Sequence, residues 1–123
     1  SVADVEQAIK ENPDAKAILV NNPTYYGICS DIRGIVKIAH EHGMLVLADE
    51  AHGTHFYFND RLPVSAMEAG ADMAAVSMHK TGGSLTQSSI CSQEILSMLI
   101  MSGRLSILLR LQAAHICFFL LLT

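Results

Sequence analysis

Several features that would assign a chain to a broad functional class are absent from this sequence. It has no cluster of Lys and Arg, and its net charge of −4 argues against a nucleic-acid-binding surface. Its first residues contain neither a basic nor an apolar region, so no secretory signal peptide is indicated. Only 16% of the 123 residues are charged and 50% are hydrophobic, which excludes a disordered chain. A folded domain, or a piece of one, is therefore expected.

Paired cysteines are also absent. The three cysteines, Cys29, Cys91 and Cys117, lie far apart and form no CxxC pair. An odd and scattered set of this kind is typical of reduced thiols in a cytosolic protein and not of a disulfide framework. We therefore predict a cytoplasmic protein without disulfide bonds.

Both ends of the chain predict a fragment of a longer protein. The sequence begins without Met and ends within an apolar run. The segment 105–123 approaches the length of a membrane span, but Arg110, Gln112 and His115 interrupt it, and an arginine in hydrocarbon is costly. A core helix followed by a buried segment is favoured over a transmembrane helix.

Hydrophobic periodicity divides the chain into helices and strands. The predicted elements are a helix over 1–12, a buried strand over 17–20, a helix with its caps over 30–43, a buried strand over 44–48, a short helix over 63–70, a strand over 73–77, a further and possibly antiparallel strand over 85–92, and a helix over 94–110. Residues 1–92 would form the central part of a larger domain, and residues 93–123 its helical, apolar continuation.

The alternation of strands and helices predicts an α/β fold. Strand–helix–strand–helix–strand describes two βαβ units, which give a parallel sheet with right-handed crossovers. Ligands of such sheets bind beyond the carboxyl ends of the strands. Asn22, Asp49 and Lys80 each follow a different predicted strand. We expect these three polar residues to converge on one edge of the sheet.

The segment 77–89, with the sequence SMHKTGGSLTQSS, is the most informative part of the chain. It presents Lys80 at the end of an apolar run, and a lysine in apolar surroundings is more readily neutral and able to attack a carbonyl group. The small hydroxylic residues and backbone amides that follow suit a phosphate group. Together they predict a lysine that forms a Schiff base with pyridoxal 5′-phosphate (PLP).

Asp49 and His52 are the next candidates, because both follow the second buried strand. Asp49 can pair with a protonated pyridine nitrogen and keep the cofactor ring electron-withdrawing. A helix cap or a salt bridge is the structural alternative for this carboxylate. The segment 49–55 is also rich in metal-ligand types, with His52 and His55 three residues apart, but no third ligand at suitable spacing stands out. The sequence Asp-Glu-Ala-His also occurs in helicases, but a helicase would need a Walker A motif, which this sequence lacks.

Four further residues are candidates with structural alternatives. His79 can contact a phosphate or adjust the neighbouring lysine, or it can be a hydrogen-bonded histidine at a strand end. Ser77 can donate to phosphate or satisfy backbone groups. Tyr25 and Tyr26, on the loop after the first strand, can line a substrate pocket or serve only in packing.

These motifs resemble a known family. The segment 75–89 is similar to the PLP-attachment signature of the Orn/Lys/Arg decarboxylases, which have the fold of aspartate aminotransferase (fold type I). The segments 22–27 (NPTYYG) and 49–53 (DEAHG) look like the two strand-end motifs that precede this signature in the family, in the same order. The resemblance covers roughly 17–92 and fades beyond Cys91, where 111–115 (LQAAH) departs from the family pattern.

The resemblance implies a role for each candidate. Lys80 would hold PLP, Asp49 would pair with the pyridine nitrogen, and His52 would lie near the ring. Ser77 and His79 would lie on the phosphate side.

It also implies a reaction: α-decarboxylation of a basic amino acid (arginine, lysine or ornithine) to a polyamine or its precursor, by a homodimer or higher homo-oligomer. Asn22 is included among the predicted cofactor-binding residues, and no nucleic acid, membrane or metal partner is expected. The upstream phosphate-gripping loop and the small C-terminal domain would lie outside this sequence.

Two other functions remain open. An aminotransferase or an acyl-CoA condensing enzyme of the same fold also carries an Asp-Glu-Ala-His-like segment, although the His79-Lys80 pair followed by Thr86-Gln87 favours decarboxylases. An inactive, truncated remnant is the non-enzymatic alternative.

Overall fold

The computed structural model describes residues 1–85 and 87–93, which form a four-stranded sheet with two helices on one face. In chain order the elements are α1 (Val2–Glu11), β1 (Ala17–Asn21), α2 (Ile32–Glu41), β2 (Leu45–Asp49), a 3₁₀ helix (Thr54–Phe58), β3 (Met73–Ser77), α3 (Met78–Thr81) and β4 (Ser89–Gln93).

The sheet is parallel through its first three strands and antiparallel at the fourth. The strand order is β1-β2-β3-β4. β1 pairs with β2 in register Asn21↔Asp49, and β2 pairs with β3 in register Asp49↔Ala75, both parallel. β3 and β4 are antiparallel, with Ser77 opposite Ser89. The parallel core and the antiparallel fourth strand were both predicted, and both are confirmed.

The two long helices begin where their capping residues place them. Ser1 accepts a hydrogen bond from the backbone N–H of Asp4, whose own carboxylate bonds back to Ser1 in a capping box. Asp31 caps α2 by accepting from the backbone N–H of Gly34 at 3.0 Å. Because these polar side chains satisfy the first free amides, the helix starts are readable from sequence.

The core lies between these helices and one face of the sheet. α2 contributes Ile32, Val36 and Ala39, and α1 contributes Ile9, all of them buried. They contact Val46 of β2 and the corresponding inward-facing residues of the neighbouring strands. Burial of this continuous apolar layer is the main stabilising contribution to the described part of the chain.

The prediction that β1 is a buried strand was wrong. None of its residues is fully buried, Leu19 and Asn21 are exposed, and Leu19 is 60% exposed. A short apolar run is typical of a strand covered on both faces, but β1 is the first strand of the sheet and within the described residues has a neighbour only in β2.

The second crossover contains no α-helix over 63–70, so the predicted crossover helices are confirmed only between β1 and β2. Residues 66–70 form turns, in which Ala69 N–H bonds to Ser65 O and Ala71 N–H to Ala66 O. The N–H of Ala66 donates instead to the side chain of Glu50, and Gly70 has a φ of +94° that leaves the helical region. The 3₁₀ helix Thr54–Phe58 and the short α3 were not predicted.

The predicted helix over 94–110 lies outside the described residues, as does nearly all of the apolar continuation over 93–123. The transmembrane alternative for 105–123 lies outside them as well. Within residues 1–85 and 87–93, no helix has the length and apolar character needed to cross a membrane.

Candidate active site

The carboxyl ends of β1, β2 and β3 are joined by backbone hydrogen bonds that continue beyond the strands. Asn22 N–H donates to Asp49 O at 2.9 Å, and Glu50 N–H donates to Ala75 O at 2.9 Å. These bonds place Asn22 beside Asp49 at the edge where ligands of parallel sheets bind. Lys80 reaches the same region on the single turn of α3, which follows β3 directly.

Lys80 contacts His52 across this edge. The Lys80 Nζ lies 3.2 Å from the His52 Nε2, so the imidazole nitrogen accepts a hydrogen bond from the ammonium group. Lys80 is exposed, and the apolar burial that its preceding strand led us to expect is not found in the described part of the chain. A solvent-accessible amine beside a proton acceptor is what the structure presents.

The aromatic rings of the first strand-end loop adjoin His52. The Tyr25 ring meets the His52 ring edge to face, with centroids 5.4 Å apart, and Tyr26 stacks against Tyr25 in the same way. The side chains of Tyr25 and Tyr26 are 78% and 86% exposed. The predicted pocket residues therefore lie next to the Lys80–His52 pair but leave most of their surface open.

The side chains of Asp49 and Asn22 differ in their burial and in their hydrogen bonds. The half-buried Asp49 accepts a hydrogen bond at Oδ1 from Ala51 N–H at 3.1 Å. Asn22 is 1% exposed, and its Oδ1 accepts from Ser30 N–H at 2.7 Å. The buried Asn22 Nδ2 has no partner among the described residues. An unpaired buried amide is costly, which marks this position as one that a ligand can complete.

Ser77 and His79 hold the backbone around Lys80. The carbonyl oxygen of Ser77 accepts a hydrogen bond from the Thr54 hydroxyl at 3.0 Å. The His79 Nδ1 lies 2.9 Å from Ser88 O and must donate to it, because a carbonyl only accepts.

Glu50 is an important residue at this edge that the sequence analysis missed. It is 0% exposed, and its carboxylate accepts hydrogen bonds from Tyr57 Oη at 2.6 Å and from Ala66 N–H at 2.8 Å. Burial raises the pKa of the Glu50 carboxyl, and the two hydrogen bonds oppose that rise. Burial and the bond to Glu50 raise the pKa of Tyr57. Only the position of Glu50 directly after Asp49 hinted at it, since its partners come later in the chain.

A surface recess of about 570 Å³ lies elsewhere, along the second crossover. Arg33, Tyr57 and Glu68 are among its lining residues, and none of the predicted site residues lines it. No three His, Cys, Asp or Glu side chains of residues 1–85 and 87–93 come together as a metal site.

The family model of the Orn/Lys/Arg decarboxylase major domain matches residues 2–122 of this chain. The chain belongs to this family. The match extends beyond the 17–92 over which the motifs carry a resemblance.

Curated relatives of this decarboxylase-family chain are bacterial. It is 50% identical over 120 residues to an arginine decarboxylase of Bacillus cereus, covering 89% of this chain and 26% of that protein. It is 52% identical over 110 residues to an arginine decarboxylase of Bacillus subtilis, covering 80% and 22%. The chain therefore spans about a quarter of the length of these relatives.

Solved structures show the same fold at low sequence identity. The pyridoxamine-pyruvate aminotransferase of Mesorhizobium loti superposes with a TM-score of 0.71 at 13% identity, covering 85% of this chain and 26% of that one. A Sphingomonas wittichii serine palmitoyltransferase gives 0.63 at 21% identity, with 85% and 27% covered. The predicted membership of the family and the fold type I architecture are thus confirmed.

Proposed function

We propose that this chain is the cofactor-lysine segment of a PLP-dependent decarboxylase that acts on a basic amino acid. The observation that carries the proposal is the contact between Lys80 Nζ and His52 Nε2, 3.2 Å apart at the ligand-binding edge of the sheet, in a chain of the Orn/Lys/Arg decarboxylase family. Arginine is the first substrate to test, because the relatives at 50–52% identity are named arginine decarboxylases; lysine and ornithine are the alternatives.

The residues present fit PLP. Lys80 offers an accessible amine, and Asp49 uses only one carboxylate oxygen in hydrogen bonds within the described residues. The buried, unpaired Nδ2 of Asn22 supplies a donor. An amine, a carboxylate and an amide donor at one edge complement the aldehyde, the pyridine nitrogen and the oxygen substituents of this cofactor.

Bound PLP would supply an electron sink for the electron pair that remains when carbon dioxide leaves the substrate. Lys80 would hold the cofactor, for which its ammonium group must first lose a proton. His52, already accepting a hydrogen bond from that group, is placed to take the proton. Asp49 would keep the pyridine nitrogen protonated through a charge-assisted hydrogen bond.

The remaining predicted residues have supporting parts in this proposal. His79 and Ser77 would bind the phosphate, with His79 oriented by its bond to Ser88 O. Tyr25 and Tyr26 would line the entrance through which the amino acid reaches Lys80. We also propose a cytoplasmic homodimer or higher oligomer whose amine product enters polyamine synthesis; the exposed Tyr25 and Tyr26 are consistent with a subunit contact.

The test is PLP binding followed by product analysis. The chain incubated with PLP should develop the visible absorbance of a lysine-bound cofactor, and Lys80→Arg should abolish it. Lys16→Arg, at an exposed lysine outside the site, is the matched control and should retain the band.

In the full-length protein, arginine, lysine or ornithine should release carbon dioxide. Formation of a keto acid without carbon dioxide would favour an aminotransferase over this proposal. A full-length protein with no cofactor band would leave the inactive remnant as the better description.

A further inference from the structure

The strongest unexplained feature of the molecule is the buried carboxylate of Glu50. Within the described residues no Lys, Arg or His forms an ion pair with it, and its hydrogen-bond partners are Tyr57 Oη and Ala66 N–H. A buried charge without a cation is costly, and a well-packed apolar residue at such a site is often as stable or more so. A contribution to stability therefore does not explain why a glutamate occupies this position.

The contacts of Glu50 connect the second crossover to the site edge. Tyr57 belongs to the 3₁₀ helix, and Ala66 begins the turns that replace the predicted helix. The backbone of Glu50 pairs with Ala75 of β3 through its N–H and with Gly53 through its carbonyl oxygen, which accepts at 2.8 Å. One residue thus contacts the sheet, the 3₁₀ helix, the crossover turns and the loop that carries His52.

The Glu50 side chain also packs closely against Gly53. A Cβ atom at Gly53 would be 2.5 Å from Glu50 Cγ and 2.9 Å from Pro23 Cδ, so only glycine allows this approach. Gly53 follows His52, and Pro23 follows Asn22. The Glu50 side chain therefore packs tightly against the residue after His52, at the point where this loop approaches the first strand-end loop.

A second contact fixes the other side of this loop. The Thr54 hydroxyl, 2% exposed, donates to Ser77 O at the start of α3. The loop that carries His52 is thus held at two points. Glu50 packs against Gly53, and Thr54 bonds to the segment that carries Lys80. A shift of the loop at Glu50 would change the Lys80–His52 contact.

We propose that Glu50 is a positioning residue that holds His52 against Lys80, through Gly53 on one side and through Tyr57 and Ala66 on the other. Burial raises the pKa of the Glu50 carboxyl and the hydrogen bonds from Tyr57 and Ala66 oppose that rise, as expected for a buried side chain held by both groups. Where the inference concerns the cofactor it rests on the proposed function; the His52–Lys80 contact can be tested without cofactor.

The first experiment measures the His52 ring ¹⁵N chemical shifts in the cofactor-free protein. Lys80→Ala gives the reference value for a lost contact. Glu50→Ala should shift His52 Nε2 towards that value. Glu50→Gln, which keeps the shape and can still accept from Ala66 N–H, should restore the wild-type shift. Glu68→Gln is the matched control, because Glu68 is exposed and pairs only at the surface with Arg33, and it should leave the shift unchanged.

Tyr57→Phe keeps the experiment decisive if Glu50→Ala does not fold. It removes one donor to the carboxylate and should move the His52 shift in the same direction by a smaller amount. An unchanged His52 shift in both variants would overturn the proposal. A Glu50→Gln protein that behaves like Glu50→Ala would also overturn it, since the conservative side chain would then fail to rescue.

A second measurement, PLP affinity, separates this proposal from the proposed function. The PLP dissociation constant should rise about tenfold in Glu50→Ala and stay within about threefold of wild type in Glu50→Gln. If wild type itself does not take up PLP, the proposed function fails, and the His52 shifts alone decide the role of Glu50. If wild type binds PLP and Glu50→Ala binds equally well, the positioning role is wrong and the proposed function stands.

Discussion

The two crossovers that connect the parallel strands are built and stabilised in different ways. Between β1 and β2 the chain crosses by α2, whose apolar face contributes Ile32, Val36 and Ala39 to the core. Between β2 and β3 it crosses by a 3₁₀ helix and turns that are held by the buried carboxylate of Glu50. The first crossover is stabilised mainly by apolar burial of a helix face. The second also buries Ala66 and Ala71 in the core, but its irregular conformation depends in addition on directional hydrogen bonds to Glu50.

Because of this difference, we expect substitutions in α2 to affect mainly the stability of the fold, and substitutions around Glu50 to affect the geometry of the site. α2 covers the helical face of the sheet and leads to the amino end of β2, away from the carboxyl edge, whereas the loop before it, which carries Asn22, Tyr25 and Tyr26, lies at that edge. The irregular crossover begins at that edge, immediately after Asp49, and carries His52. Truncation of the core side chains of α2 should lower stability with little effect on the site, whereas removal of the hydrogen bonds to Glu50 should disturb the site in proportion to the number of bonds removed.

The largest effect on stability is expected from Ile32→Ala. Ile32 is 1% exposed in the core, and truncating a buried isoleucine leaves a cavity that lowers the free energy of unfolding by about 2–5 kcal/mol. Urea unfolding measures the change. Ile38→Ala is the matched control, because Ile38 is only partly buried and its truncation should lower the free energy of unfolding by less. PLP capture per folded molecule should stay the same. A loss of capture in folded Ile32→Ala would contradict the separation of the two crossovers.

Glu50→Ala should cost less stability but alter the site. It leaves the Tyr57 hydroxyl and the Ala66 amide without their partner, at about 1–3 kcal/mol for buried groups of this kind. Unfolding free energy and PLP capture should fall together in this variant. If stability falls while capture per folded molecule is unaffected, the second crossover is only structural.

Asp31→Ala should have a smaller effect, confined to the first crossover. Loss of the cap on the Gly34 amide costs about 1 kcal/mol in the free energy of unfolding. Asp31→Asn keeps an accepting oxygen and should recover most of the loss. Circular dichroism and urea unfolding check both variants, and an unaltered stability in Asp31→Ala would show that the cap is not used.

The smallest effect is expected in the pH dependence of stability, because the two hydrogen bonds to Glu50 oppose its desolvation. Its folded-state pKa is raised above the ordinary 4.5, so the folded state binds a proton more readily than the unfolded state. The Glu50 contribution to stability is therefore complete below pH 4.5 and is lost as the pH rises through the folded-state value.

Glu50→Gln cannot titrate and isolates this contribution. The stability of wild type relative to Glu50→Gln should decline as the pH rises from 4.5. A difference that is constant with pH, or that rises, would contradict a raised pKa. Urea unfolding of both proteins across the acidic range is the measurement.

The predictable parts of the fold are those set by local sequence signals. Ser1 and Asp31 define the starts of α1 and α2, and the apolar run over Met73–Ser77 gives the bounds of β3. The edge position of β1 was missed because its apolar residues look the same whether one face is covered or two. The second crossover was missed because its conformation depends on Glu50, whose partners are not near it in sequence.

The site was predictable in its members and less so in its environment. Asn22, Asp49 and Lys80 were placed at one edge because parallel strands end together, and the family resemblance placed His52 near them. The exposure of Lys80 was not foreseen, since an apolar run before a residue does not say whether the chain turns outward after it. The roles assigned to these residues remain predictions that the experiments above address.

The most direct test of the central claim is to locate the lysine that captures PLP. The chain is incubated with PLP and reduced with borohydride, and the modified lysine is then identified by peptide mass spectrometry. The account predicts modification concentrated at Lys80, with little at Lys10, Lys16 or Lys37, and a marked decrease at Lys80 when His52 is replaced by Ala. Modification spread evenly over all four lysines would contradict it.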